Sequence, residues 1–131
     1  PYQGAYSASK FAIEGWCEAL RLELRGTGVK VVVIEPGDFS TGFTATRKSV
    51  CPADVAEAYP SYERSLKGIE KDETSGLKPE YLAAKVSAIV RKKNPSYSYV
   101  VASFLQKLAV FAKWLLPKRV FAWILSLYYN L

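Results

Sequence analysis

The chain has 131 residues, half of them hydrophobic and 14% aromatic, enough for one domain with a core and far from a disordered composition. It holds no histidine and two cysteines, Cys17 and Cys51, at no metal-ligand spacing, which excludes a structural zinc site and Ser-His or Cys-His catalysis and points to a reduced, intracellular setting. The net charge of +6 is carried by residues 81–131, with eight basic and no acidic side chains; in so apolar a stretch this fits an anionic membrane surface rather than nucleic acid.

No charged-then-apolar leader opens the sequence, so secretion is not expected. Residues 5–25 predict one amphipathic helix. Phe11, Ile13, Trp16, Leu20 and Leu24 recur at helical spacing, and Glu14, Glu18, Arg21 and Arg25 stand at ion-pairing intervals. Tyr6 and Lys10 are four apart on one face, and an ammonium one turn away stabilises a phenolate. Gly26 and Gly28 are expected to end this helix. Val29 to Ile34 form an apolar run without polar alternation, the pattern of a parallel strand buried on both faces, and it stops at Pro36-Gly37. Helix, short glycine turn and buried strand make the second half of a doubly wound α/β unit. Pro36 to Thr41 therefore fall at the edge where such sheets bind ligands.

Residues 42–78 are mixed, acidic and rich in turn formers, with a helix expected around 53–69; they read as a long excursion over a site. A second amphipathic helix is predicted over 79–93 with Pro79 in its first turn, and a strand over 97–102. This helix repeats the Tyr-x-x-x-Lys outline at Tyr81 and Lys85, read as a core-facing tyrosine beside a solvated lysine. Two apolar helices follow, separated by Pro117, both short of the roughly 20 residues of a transmembrane span. Two strands do not make a doubly wound sheet, so the other strands and a Gly-rich turn are expected before Pro1. The absence of methionine fits the back part of a longer protein.

The stretches AYSASKFAIEGWCEALRLEL and VKVVVIEPGDFST resemble the C-terminal half of the short-chain dehydrogenase/reductase family. The resemblance implies a Rossmann-type doubly wound parallel sheet, a nicotinamide cofactor, NAD or NADP, and interconversion of alcohols and carbonyls. It makes Tyr6 the proton donor or acceptor at the substrate oxygen and gives Lys10 two tasks, favouring the phenolate and holding the nicotinamide ribose. Pro36 and Gly37 become the turn that lets backbone approach the nicotinamide, with the Phe39 backbone and the Thr41 hydroxyl on the carboxamide side. Residues 1–103 would be the C-terminal portion of the cofactor-binding domain and 104–131 a basic, apolar helical tail. Glu35 stands where many members carry Asn. The family's catalytic Ser, Gly-rich turn and helix-bending Asn fall upstream of this chain, and Ser7, one position from Tyr6 around the helix, does not replace the Ser.

Phe39, Phe43, Tyr59 and Tyr62 fit either core packing or a pocket for a sizeable apolar alcohol or ketone. The tail LLPKRVFAWIL more loosely resembles members acting on retinoids and steroids. This implies a lipophilic substrate and a cytoplasmic protein at a membrane surface through 104–131, with packing against the sheet or a second subunit as the competing role; Trp16 is a candidate for a homo-oligomer interface. Two other classes remain open: a sugar-nucleotide epimerase or dehydratase, disfavoured by the Pro-Gly-x-x-x-Thr edge, and a non-catalytic membrane-associated protein.

Overall fold

A computed structural model describes residues 1–47 and 57–131; Cys51 and the first part of the helix expected around 53–69 lie outside them. In chain order the elements are α1 (Gly4–Glu23), β1 (Val33–Pro36), α2 (Phe43–Thr46), α3 (Tyr62–Thr74), α4 (Pro79–Val90), β2 (Ser98–Val101), α5 (Phe104–Leu115) and α6 (Lys118–Tyr128). They fall into two compact units, residues 1–36 with 80–101 and residues 37–79 with 102–131.

In the first unit β1 and β2 pair in parallel, Val33 opposite Ser98 through Pro36 opposite Val101. Parallel pairing needs a long crossover, which the chain between the two strands provides. The fold is α/β with a parallel sheet, as expected, but β1 begins at Val33 rather than at 29. The partner offers four residues, and the Val31 carbonyl is taken instead by Arg21 Nε at 3.3 Å. Arg21 also donates to the Tyr97 carbonyl at 3.2 Å and stacks over the Tyr97 ring, so it ties α1 to the approaches of both strands rather than pairing along its own helix.

Val33, Ile34 and Glu35 are half-buried, which corrects the expectation of a strand covered on both faces. The buried apolar residues of this unit, among those described, are Ile89 of α4 and Val101 of β2. The stripe of α1 is likewise uncovered: Phe11, Ile13 and Trp16 are exposed and no residue of α1 is buried. Length explains this, since twenty helical residues extend about 30 Å while four strand residues span about 13 Å. The helix stops at Glu23, where the Arg25 N–H bonds the Leu22 carbonyl in a tightened last turn, before Gly26 and Gly28 at φ +90 and +86.

The second unit is built on side-chain ties. Glu73 of α3 accepts from the Thr44 hydroxyl at 2.7 Å and from Arg47, joining α3 to α2. The hydroxyl of Ser65, 1% exposed, donates to the Tyr129 carbonyl at 3.3 Å, fixing the end of α6 to α3. Of the helix expected around 53–69, the described residues show Glu57 and Ala58 helical, a break at Tyr59 and then α3 from Tyr62; Tyr59 precedes Pro60, and proline disfavours helical backbone at the residue before it. A capping box opens α5, with Ser103 Oγ accepting from Gln106 N and Gln106 Oε1 accepting from Ser103 N. Pro117 separates α5 from α6 as the sequence implies. No helix among the described residues is long and apolar enough to cross a membrane.

Candidate active site

The side chains of Tyr6 and Lys10 meet on α1 as their spacing requires, with Lys10 Nζ 5.1 Å from the centroid of the Tyr6 ring. Tyr6 is 51% exposed, so its phenol is open to a reaction partner. Ser9 turns away, donating to the Tyr6 carbonyl at 2.7 Å. The second pair has nearly the same geometry, Lys85 Nζ lying 5.3 Å from the Tyr81 ring centroid. Tyr81 is 41% exposed and not core-facing, because the face that α4 buries carries Ile89 instead. Helix geometry alone makes both pairs, so context must separate them.

Pro36 closes β1 opposite Val101, in keeping with a strand terminus, where its missing N–H breaks no ladder bond. Glu35, just before it, accepts a hydrogen bond across the sheet from Ser98, which gives the Asn-to-Glu departure a structural role. Tyr6, Lys10 and Pro36 belong to the first unit and Gly37, Phe39 and Thr41 to the second. At Gly37 an added Cβ would stand 2.3 Å from Gln106 Oε1 and 2.7 Å from Ala102 Cβ, so only glycine fits without displacement. Phe39 forms a parallel bridge with Leu77 through its neighbours: the Asp38 carbonyl accepts from Leu77 N and Ser40 N donates to the Leu77 carbonyl, both at 2.9 Å. In that pattern the N–H and C=O of Phe39 point to the opposite side. Thr41 Oγ1 accepts from Phe43 N at 3.2 Å and keeps its own proton for donation. An amide directed away from its bridge partner and a hydroxyl with a donor to spare leave this segment able to hydrogen-bond a ligand.

The second unit also holds a half-open cavity of about 580 Å³, within the range of small-molecule sites. Its apolar wall comes from Leu77, Ala109, Phe121, Ile124 and Leu125. Phe39, Phe43, Tyr59 and Tyr62 do not line it; the two tail helices do, a role the sequence did not suggest. Two carboxylates share the lining, Asp38 held by Gln106 Nε2 and Asp72 accepting from the Tyr128 hydroxyl at 2.7 Å. Burial and then the neighbouring charge of Asp72 raise the Asp38 carboxyl above its ordinary value, against the hydrogen bond from Gln106. The bond to Asp72, followed by burial, pushes Tyr128 up to about 12, and Tyr129 is raised by burial and the same charge. The sequence signals for these residues were weak: Asp38 sits inside the Pro-Gly edge, and Asp72 belongs to the acidic excursion of 42–78, beyond the helix expected around 53–69.

The family model described as short chain dehydrogenase matches residues 1–51. The 3-ketodihydrosphingosine reductase of Bacteroides thetaiotaomicron is 44% identical over 130 residues, covering 98% of this chain and 48% of the relative. The NADPH-dependent 3-dehydrocapnine reductase of Ornithobacterium rhinotracheale is 36% identical over 126 residues, 92% of this chain and 42% of that protein. The 17-beta-hydroxysteroid dehydrogenase type 6 of Rattus norvegicus is 49% identical over 67 residues, 44% of this chain and 21% of that protein. The chain spans about half the length or less of these curated relatives.

Proposed function

The chain belongs to the short-chain dehydrogenase/reductase family, whose fold is of the Rossmann α/β type, and we propose that it serves hydride transfer between NAD(H) or NADP(H) and a hydroxyl or carbonyl group of a lipophilic substrate. The observation that carries this reading is the position of the Tyr6–Lys10 pair, on one helix face and inside the matched residues 1–51; the Tyr81–Lys85 pair falls outside them. When bound, the cofactor supplies or removes the hydride. Tyr6 Oη gives a proton to the substrate oxygen as a carbonyl is reduced and takes one from the hydroxyl in the reverse direction. Lys10, whose ammonium lies 5.1 Å from the Tyr6 ring centroid, would hold the ribose hydroxyls of the bound cofactor. Pro36 and Gly37 would let backbone approach the nicotinamide, and the Phe39 amide and Thr41 hydroxyl would hold its carboxamide.

The words NADPH-dependent in one relative's name favour NADP(H), and the names of two others favour a keto-sphingosine or steroid-like substrate. Residues 1–103 then form the C-terminal portion of the cofactor-binding domain. Residues 104–131 form an amphipathic tail that rests on the cytoplasmic side of a membrane, and the exposed Trp16 face of α1 receives a second copy of the chain. In the full chain, Tyr6→Phe lowers turnover at least roughly 100-fold, followed by nicotinamide absorbance with a lipid ketone, while Tyr81→Phe leaves it intact. Retained turnover in the Tyr6→Phe protein rejects the assignment.

A further inference from the structure

The cavity of the second unit combines two features that do not usually coexist without a reason. Its wall is mostly hydrocarbon, from α5, α6 and Leu77, yet the lining carries Asp38 and Asp72 and, among the described residues, no lysine or arginine. The Arg47 guanidinium, outside this lining, is engaged by Glu70 and Glu73. Partly buried carboxylates in an apolar surround are unfavourable unless a positive charge or donors answer them. Gln106 and Tyr128 each provide one donor, leaving further acceptor sites on both carboxylates. Both carboxylates border the same cavity, so an ammonium seated there would meet negative charge from each.

We propose that Asp38 and Asp72 are specificity-determining residues that select an amphiphile with a cationic amine head, whose hydrocarbon chain occupies the apolar part of the cavity. Charge complementarity chooses this occupant over a fatty acid, which the carboxylates repel, and over a neutral lipid, which leaves them unanswered. Asp38 follows Pro36 and Gly37 directly in the chain, so one short segment carries both the cofactor edge and a substrate anchor. The inference rests on the lipophilic-substrate reading above for its place in a reaction; the binding itself requires no turnover.

The test is calorimetric titration of the full chain at neutral pH with decylamine, decan-1-ol and decanoate, each below its micelle concentration. Decylamine binds at least about tenfold more tightly than decan-1-ol, and decanoate most weakly, an order opposite to that expected from the net charge of +6 acting alone. Asp38→Asn and Asp72→Asn each bring decylamine towards the alcohol while leaving decan-1-ol unchanged, with circular dichroism confirming the fold. Should a variant fail to fold, the comparison of amine with alcohol on the unsubstituted protein still decides. Equal binding of amine and alcohol, or preference for decanoate, overturns the inference even if a neutral lipid ketone is turned over through Tyr6. Selective amine binding in a protein whose turnover survives Tyr6→Phe upholds the site and removes the catalytic reading instead.

Discussion

At single residues the deciding quantity is how close backbone and side chains come. A Cβ at Gly76 would lie 2.4 Å from the carbonyl carbon and oxygen of Asp38 and 2.7 Å from Phe39 N, all main-chain atoms that cannot swing aside. Gly76→Ala is therefore expected to destabilise the protein by about 1–3 kcal/mol and to lower its thermal midpoint by several degrees. An unchanged midpoint would show that the Phe39–Leu77 bridge shifts freely. Tyr128 offers a second measurement. Its value rises from 10 to about 12, so the Asp72 bond adds stability that is complete below pH 10 and is lost as pH climbs through 12. Most of the ring is exposed, so the effect is small. Spectrophotometric titration of the tyrosines should show one phenol ionising last that Tyr128→Phe lacks; identical curves refute the bond. Tyr6 and Lys10 could be picked from the sequence because i,i+4 geometry is local. Asp72 and Tyr128 could not, because their meeting depends on the packing of helices 56 residues apart.

Among elements, boundaries followed local chemistry wherever that chemistry was complete. Pro117 between α5 and α6, Pro79 at the first position of α4 and the glycines after α1 all stand where their backbone preferences put them. The strand beginning at Val33 and the uncovered stripe of α1 were not legible, since both depend on how much partner surface the fold presents rather than on periodicity. The start of α5 is the clearest case of local determination, because Ser103 and Gln106 satisfy each other's backbone donors. Gln106 also holds Asp38, so the cap positions a wall of the cavity as well as a helix. Ser103→Ala should cost about 1 kcal/mol in denaturant unfolding and weaken decylamine binding, whereas Ser103→Thr, which keeps the acceptor, should restore most of both. Loss of stability with binding untouched would confine the cap to folding.

Over the whole molecule, half the residues are hydrophobic but the buried apolar ones, among those described, are Ile89, Val101 and Ala102. So much uncovered apolar surface marks places where other matter is received. In the second unit this surface is concentrated on α5 and α6, where Trp114 is 81% and Trp123 62% exposed, and Lys107, Lys113, Lys118 and Arg119 are interspersed without a single acid. Aromatic rings beside cations suit a lipid interface, where the rings enter the headgroup layer and each cation near an anionic surface contributes about 1 kcal/mol. Packing against protein would need the same rings but not the charges. The protein should therefore co-sediment with vesicles containing phosphatidylserine more strongly than with phosphatidylcholine alone, and raised salt should reduce the difference. Replacing Lys113 and Arg119 by Gln should remove the preference for anionic lipid, while Trp114→Ala should weaken binding to both kinds of vesicle. Equal binding to the two compositions, insensitive to salt, would assign the rings to a protein partner and leave the lysines as ordinary solvated charge.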